Sequence, residues 1–262
     1  MDKKVIYYRD ALHDDFANNN IEAKPLREDF KYIHTNFLWR MVCFVLYRLI
    51  AQPLVFLFVK LVYGQRFANK AVLKQAKGSG AYVYANHTNG MLDAFVPNLL
   101  RYSGRGYIVV GPGATSIPGL TGIVQMLGAI PLGSTFAQCK QMRRCVQTRV
   151  KEKNLVTIYP EAHIWPYYTG IRPFPATSFG YPAYDGAPVF AMTNCYQKRR
   201  FGGFPKVVTY LDGPFYPDAS LPMEARKKKL RDQCYEAMQA RAKEYSTYAY
   251  VTYVKEKTDG AH

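Results

Sequence analysis

Apolar residues are distributed unevenly along the chain, and their pattern divides it into three parts. Residues 37–63 form the most apolar stretch, which Arg40, Arg48 and Lys60 interrupt. Residues 1–33 are polar and mixed in charge, which predicts a loosely ordered arm or a short helix. The rest of the chain has short apolar runs separated by polar segments and Gly/Pro turns, which is typical of alternating strands and helices.

The apolar stretch is a poor candidate for a transmembrane helix. Its longest run without a charge is the eleven residues from Leu49 to Val59, whereas a spanning helix needs about 20 mostly apolar residues. Pro53 predicts a break between two helices. The two arginines and Gln52 fall on one side of the helical wheel, which leaves a wide apolar face suited to the headgroup region of a bilayer. We expect a membrane-docking helical hairpin over residues 34–66, with a hairpin buried in the core as the alternative.

Six short apolar runs are predicted to be strands. They cover residues 81–85, 106–111, 129–132, 155–160, 187–193 and 206–212. Several are apolar on both faces, as in a sheet that helices cover on both sides, and helices are expected over 136–151 and 222–247. The alternation predicts an α/β fold, with a mixed, largely parallel sheet flanked by helices over residues 67–262, after the N-terminal interfacial hairpin.

Composition narrows the classes of function without choosing one. The net charge is +16, which attracts nucleic acid, anionic headgroups or a phosphorylated substrate. Aromatic residues make up 15%, which is typical either of a membrane interface or of an aromatic-rich core. Five widely spaced cysteines without a CxxC pair favour a reducing compartment and count against disulfides and zinc. The polar first residues predict no secretory signal.

Residues 81–95, AYVYANHTNGMLDAF, place a histidine and an aspartate after a predicted strand. On one continuous helix His87 and Asp93 would lie about 120° apart and about 9 Å along the axis. They can pair only if His87 lies in a turn, which Asn89-Gly90 favours. A carboxylate on one ring nitrogen fixes the tautomer and stabilises the imidazolium, which makes His87 a candidate general base. The alternative is a loop histidine with Asp93 as a helix cap.

Sequence blocks in order resemble the glycerolipid acyltransferase family, typified by 1-acylglycerol-3-phosphate acyltransferase. They are Asn86-His87 with Asp93, GAIPLGS at 128–134, IYPEAH at 158–163, Pro173-Phe174 and APVFAM at 187–192, within a resemblance from about residue 37 to 215. This chain has five residues between its histidine and aspartate where the family has four, and Ala162 replaces the usual glycine of Pro-Glu-Gly. The GxSxG, P-loop and GxGxxG motifs of other enzyme classes are missing from the sequence.

The resemblance implies a dyad of His87 and Asp93 that activates a lipid hydroxyl. The implied donor is acyl-CoA or acyl-carrier protein, and the implied acceptor is a lysophospholipid or a related lipid. No metal or bound cofactor is implied. The family's phosphate-binding arginine after the second block is missing here, and Arg143 and Arg144 on the next predicted helix are candidate substitutes.

Asn86, Glu161 and Arg172 complete the predicted substrate-binding set. A carboxylate after a strand end can hydrogen-bond acceptor hydroxyls or orient the catalytic loop, and Arg172 offers a bidentate fork for phosphate or carboxylate. A buried salt bridge between Glu161 and Arg172 is the alternative for both. The backbone N–H groups of residues 86–89 are expected to stabilise the oxyanion.

These observations predict an acyltransferase on the cytoplasmic face of the cell membrane, held there as a peripheral or monotopic protein. Its expected partners are membrane lipids and the thioester donor, and no nucleic acid is expected. A non-catalytic, basic membrane- or nucleic-acid-binding protein is the alternative. The changed spacer and the missing arginine favour a non-catalytic relative, whereas the apolar stretch counts against nucleic-acid binding.

Overall fold

A seven-stranded sheet runs through the middle of the computed structural model, which describes residues 4–17, 24–76, 78–102, 104–116 and 119–256. The strands of these residues are β1 (Lys4–Tyr8), β2 (Arg66–Phe67), β3 (Ala81–Ala85), β4 (Gly106–Val110), β5 (Ala129–Pro131), β6 (Leu155–Ile158), β7 (Val189–Gln197), β8 (Lys206–Phe215) and β9 (Val251–Lys255). The sheet has the order β2-β8-β7-β3-β6-β4-β5, and its pairings are parallel except that of β7 with β8. The predicted mixed, largely parallel sheet is confirmed.

Helices cover both faces of this sheet. Apart from short 3₁₀ helices, the helices of the described residues are α1 (Phe37–Tyr63), α2 (Gly90–Phe95), α3 (Thr121–Met126), α4 (Phe136–Lys151), α5 (Gly180–Asp185) and α6 (Met223–Tyr245). In the central strand β3, Tyr82 and Tyr84 pack into a cluster with residues of α4, α5 and α6. Ala81, Val83 and Ala85 pack on the opposite face with residues of α1 and α2. This two-sided cover explains why the strand is apolar at every position.

The segment predicted to be a hairpin is one continuous helix, so that prediction is wrong. α1 has three parts, which are α-helical over Phe37–Phe44, π-helical over Val45–Ala51 and α-helical over Gln52–Tyr63. Ala51 and Gln52 both keep right-handed helical backbone angles. Pro53 follows the π-helical part, where the N–H of Gln52 reaches back five residues to the carbonyl of Tyr47. This wider turn accommodates a residue that has no N–H of its own.

α1 lies along the domain with one side attached and the other exposed. By length and composition it is long and apolar enough to cross a membrane. Trp39 stacks on His34 near its start, and Tyr63 contacts Phe204 at its end. The exposed side, here called the apolar face of α1, consists of Phe37, Leu38, Met41, Val42, Phe44, Val45, Leu49, Ile50, Leu54, Phe56, Leu57 and Leu61. Contacts at both ends keep the helix beside the domain.

Buried hydrogen bonds attach the middle of α1 to the domain. The Tyr47 hydroxyl accepts the N–H of Gly106 at 2.9 Å and donates to Asn98 Oδ1 at 3.3 Å. Gln52 Nε2 donates to the carbonyl of Asn98 at 2.9 Å. Arg48 in turn donates to Gln52 Oε1 at 2.7 Å. These polar groups are removed from water and form hydrogen bonds with one another. They therefore hold α1 in one position against the domain.

Part of the predicted N-terminal arm belongs to a second, two-stranded sheet. β1 pairs in parallel with β9, with Lys4 opposite Val251. The prediction of a loosely ordered arm or short helix is therefore wrong for residues 4–8, while residues 1–3 and 18–23 lie outside the described part. The two strands come from opposite ends of the chain, so no local pattern in the sequence reveals their pairing.

The Tyr47 hydroxyl should contribute measurably to stability. Tyr47→Phe leaves the buried N–H of Gly106 without an acceptor, so we expect the free energy of unfolding in urea to fall by about 1–3 kcal/mol. Tyr7→Phe, which removes a hydroxyl from a 60% exposed side chain, should change it by less than about 0.5 kcal/mol. Equal effects of the two substitutions would contradict this account of how α1 is attached.

Candidate active site

The turn after β3 places His87 at the carboxyl edge of the sheet. β3 ends shortly before His87, and α2 begins directly after Asn89. The Asn89 side chain caps the helix by accepting the N–H of Leu92 at 3.1 Å. His87 therefore lies in the turn while Asp93 lies in the first turn of α2, which is the arrangement that their spacing requires for contact.

The structure brings the predicted pair together. His87 Nδ1 and Asp93 Oδ2 are 2.8 Å apart. The side chain of Asp93 is 2% exposed and that of His87 is 17% exposed. With Nδ1–H donating to the carboxylate, the lone pair of the neutral ring is on Nε2. No residue in the described ranges hydrogen bonds to Nε2, so the ring is held on one side and left available on the other.

Asp93 is both the partner of His87 and part of the helix cap. Its Oδ2 also accepts the N–H of Asn89 at 2.9 Å, and its Oδ1 accepts the side-chain amide of Asn194 at 3.4 Å. Asp93 therefore contacts His87 and the start of the helix at the same time. Burial raises the pKa of Asp93, and the hydrogen bond from His87 is the largest effect opposing that rise. The hydrogen bonds favour the carboxylate form, which the histidine needs as its acceptor.

The Asn86 side chain is occupied within the scaffold. Its Oδ1 accepts the N–H of Asn194 at 2.9 Å, and its Nδ2 donates to the carbonyl of Asn194 at 3.1 Å. Thr209 donates to Asn194 Oδ1 at 2.7 Å, which directs the Asn194 amide towards Asp93. The Asn86 amide is buried and joins the turn after β3 to β7, and this contact gives no support to its predicted role in binding substrate.

Glu161 and Arg172 form a buried ion pair behind the His87 turn. Glu161 Oε2 accepts the N–H of His87 at 3.2 Å, and Glu161 Oε1 accepts the N–H of Arg172 at 3.1 Å. Arg172 Nη2 lies 3.5 Å from Oε2, and the two side chains are 1% and 0% exposed. Burial raises the pKa of Glu161, and the charge of Arg172 is the largest effect opposing that rise. The predicted substrate contacts are corrected here too, since both side chains brace the turn.

Two of the N–H groups expected to stabilise the oxyanion already donate to side chains of the protein. That of His87 donates to Glu161, and that of Asn89 donates to Asp93. Both carboxylates are buried, so each N–H satisfies a charge that has little access to water. These two hydrogen bonds fix the shape of the turn. The prediction that the N–H groups of His87 and Asn89 stabilise the oxyanion is therefore corrected.

Arg143 and Arg144 do not join the dyad. Both are exposed residues of α4, and the guanidinium of Arg143 lies 4.7 Å from the ring centre of Tyr184. In the described part of the chain no hydrogen bond or ion pair links either arginine to His87 or Asp93. The fold therefore gives no support to their predicted role in binding a substrate phosphate beside the dyad.

Two aromatic residues position His87 without having been predicted to do so. Tyr159 stacks on the His87 ring at 4.4 Å between centres, and its hydroxyl donates to the carbonyl of Asp93 at 2.6 Å. The buried Trp165 donates its backbone N–H to the carbonyl of His87 at 3.1 Å and its indole N–H to the carbonyl of Asp14 at 2.7 Å. The sequence contained a signal for Tyr159, because this residue directly precedes the Pro-Glu of the IYPEAH block. An amide inside an apolar strand, such as Asn194, is another such signal.

Burial distinguishes the dyad from other histidine–carboxylate contacts. His13 Nδ1 lies 2.7 Å from Asp10 Oδ2, but these side chains are 77% and 50% exposed. The His163–Asp15 contact is longer, at 3.5 Å, and is also exposed. Across the described ranges no group of three or more His, Cys, Asp and Glu side chains is placed to hold a metal ion.

An apolar cavity of about 310 Å³ lies beside the helix that carries Asp93. Ala94 and Phe95, the two residues after Asp93, form part of its wall. Ile108 and Val110 of β4 line it as well, together with residues of α1, α3 and β5. Its size and apolar lining are typical of sites for small apolar ligands.

Comparison with known proteins shows similarity to solved structures. No protein-family model matches the sequence, and no curated protein matches it. Among solved structures, the chain is similar to the crystal structure of the 1-acyl-sn-glycerophosphate (LPA) acyltransferase from Thermotoga maritima. The TM-score is 0.45 at 18% sequence identity, and the match covers 79% of this chain and 92% of that chain.

Glu161→Gln should be strongly destabilising. It leaves Arg172 as a buried charge without its ion partner, which typically costs about 3–5 kcal/mol in the free energy of unfolding. Glu224→Gln is the matched control, because this 84% exposed carboxylate pairs with Lys227 at the surface and should cost less than about 1 kcal/mol. Urea denaturation measures both variants. A loss at Glu161 as small as that at Glu224 would contradict the bracing role.

Proposed function

We propose that this protein is an acyltransferase that moves a fatty acyl group from a thioester to the hydroxyl of a lysophospholipid or related lipid. The donor is acyl-CoA or acyl-carrier protein. His87 is the general base, and Asp93 orients it. The observation that carries the proposal is the 2.8 Å hydrogen bond from His87 Nδ1 to a buried carboxylate, which leaves Nε2 as the basic atom.

The proposed reaction is direct transfer between two bound substrates. Nε2 of His87 takes the proton of the acceptor hydroxyl while that oxygen bonds to the thioester carbonyl carbon. The carbon–sulfur bond then breaks, and the proton passes from His87 to the departing thiolate. The products are an ester and a thiol, and the imidazole returns to its neutral form. Asp93 stabilises the imidazolium present between these steps.

The apolar cavity beside α2 supports a fatty chain as the transferred group. Because Ala94 and Phe95 follow Asp93 directly, a thioester carbonyl near the dyad would have apolar space within reach for its alkyl chain. Burial of a chain stabilises binding by about 0.8 kcal/mol for each methylene group. The net charge of +16 also suits a phosphate-bearing donor and an anionic lipid surface.

The apolar face of α1 supports a membrane surface as the place of reaction. A helix of this kind lies in the interface with its apolar side about 5–10 Å deep. Since Tyr47 and Gln52 hold the opposite side on the domain, α1 would lie flat and the domain would stay on one side of the bilayer. This geometry favours a monotopic protein, and nucleic-acid binding would leave the exposed apolar face unexplained.

His87→Ala should reduce acyl transfer by about 10²–10⁴-fold, because the hydroxyl then has no base to take its proton. The assay follows release of free thiol from acyl-CoA or acyl-carrier protein in the presence of lysophospholipid vesicles. His13→Ala is the matched control, since it removes a histidine that is also paired with an aspartate but is exposed.

The control should transfer acyl groups at the wild-type rate and keep the wild-type unfolding midpoint. His87→Ala removes a donor from the buried Asp93 carboxylate, so its midpoint should fall, but it should stay folded at the temperature of the assay. Near-normal turnover by a folded His87→Ala variant would sink the proposed mechanism. A loss of turnover in both variants would show that the assay reports a general effect of removing a histidine.

Substitutions on the apolar face of α1 should weaken membrane binding. Leu57→Gln together with Leu61→Gln replaces two exposed leucine side chains, each worth about 1.5–3 kcal/mol when buried in lipid. The affinity for neutral vesicles, measured by flotation, should therefore fall at least about 100-fold. Tyr184→Ser with Tyr216→Ser changes two exposed aromatic residues elsewhere and should leave flotation nearly unchanged. Equal flotation of the α1 variant and the wild type would contradict docking through this face.

A further inference from the structure

A second cavity, of about 540 Å³, lies between α1 and the loops that lead into β4 and β6. Four arginines line it, and they come from three parts of the chain. Arg40 and Arg48 belong to α1, Arg105 directly precedes β4, and Arg149 lies near the end of α4. The proposed reaction uses none of these residues. The cavity that they line is here called the arginine cavity.

The arginine cavity lies at the opposite edge of the sheet from His87. Ala81, Leu155 and Gly106, the first residues of β3, β6 and β4, lie in register. Arg105 comes directly before β4, whereas His87 comes after the end of β3. Four residue steps along β3 correspond to about 13 Å at 3.3 Å each. The cavity is therefore a site separate from the dyad. Among the described residues, Tyr47 alone lines both this cavity and the apolar cavity.

Aromatic rings hold three of the arginines in place, one of which is Arg48. The guanidinium carbon of Arg105 lies 4.7 Å from the ring centre of Tyr47 and 5.1 Å from that of Tyr107. The guanidinium of Arg149 lies 4.9 Å from the ring centre of Tyr107. Cation–π contacts restrict the side chains before any ligand arrives, so less rotamer freedom is lost on binding.

The described residues do not balance the charge of this cavity. Among them Glu152 is the single carboxylate in the lining, 2.9 Å from Arg149, so four positive charges face one negative charge there. Arg48 and Arg105 also donate to backbone carbonyls. The Nε–H groups of Arg105 and Arg149 are buried without an acceptor among the described residues. Arginines in this state are poised for an oxyanion that presents several acceptor oxygens.

We infer that the arginine cavity binds the phosphate group of an anionic membrane phospholipid. A phosphate supplies both the negative charge and the acceptor oxygens that these guanidinium groups need as partners. The membrane source follows from α1, since Trp39 and Phe44 line the cavity and Phe44 also belongs to the apolar face of α1. The inference rests on the proposed membrane position of α1. A bound headgroup would fix the amino-terminal half of the helix against the bilayer, far from the dyad.

The test measures vesicle binding by protein that carries His87→Ala, so that turnover plays no part. Co-sedimentation compares phosphatidylcholine vesicles with vesicles that also contain phosphatidic acid. We expect a preference for the anionic vesicles that Arg105→Gln with Arg149→Gln lowers about tenfold, because two charge-assisted contacts are lost. The control, Lys228→Gln with Lys243→Gln, removes the same charge from exposed positions of α6 and should lower the preference much less. Equal losses would overturn the inference.

Two further arms keep the test decisive. Arg40 is exposed, so Arg40→Gln should fold normally and should still reduce the preference by about threefold; no reduction would overturn the inference even if the double variant failed to fold. Inorganic phosphate identifies the source of the ligand. If it raised the melting temperature while phosphatidic acid gave no preference, a soluble phosphate would be the ligand and the headgroup assignment would fall.

The binding result is independent of the proposed function. A wild-type protein that prefers anionic vesicles but transfers no acyl group would refute the acyltransferase proposal alone. A protein that transfers acyl groups without any preference for anionic vesicles would refute the arginine cavity alone.

Discussion

The hydrogen bond between His87 and the buried carboxylate of Asp93 is the interaction on which the site depends. A carboxylate that is almost fully buried needs several donors, and Asp93 has three, from the His87 ring, the Asn89 backbone and the Asn194 side chain. Two of these donors lie in the turn after β3 and the third lies on β7, while Asp93 itself lies on α2. The histidine is therefore held by the sheet, the turn and α2 together. Glu161 is a second buried carboxylate with several donors. It lies behind the turn and joins the His87 backbone to Arg172.

The same sheet that supports the dyad also carries α1. The helix lies flat because buried polar contacts at Tyr47 and Gln52 hold its middle, and its opposite side is left apolar and exposed. The apolar cavity and the arginine cavity both border this helix. A fatty chain, a phosphate group and the bilayer would therefore meet the protein along one side, while His87 and Asp93 lie at the carboxyl edge of the sheet.

The sequence predicted the elements that local patterns encode. Strand β3, helix α4 and the contact of His87 with Asp93 follow from apolar runs, periodicity and a turn signal. What it missed depends on distant contacts. The pairing of β1 with β9 joins the two ends of the chain, and the π-helical turn before Pro53 removes a break that proline alone predicts. Asn86, Glu161 and Arg172 were expected to face substrate because polar residues near a histidine suggest a binding set. Burial, which the sequence does not display, turns them into supports instead.

The tautomer of His87 tests the central claim most directly. In nitrogen-15 NMR spectra of the labelled protein, with the His87 signals assigned by comparison with a His87→Gln variant, the account predicts a protonated Nδ1 that donates to Asp93 and an unprotonated Nε2. A neutral ring with its proton on Nε2 would contradict it, because that atom could then accept no proton from a hydroxyl.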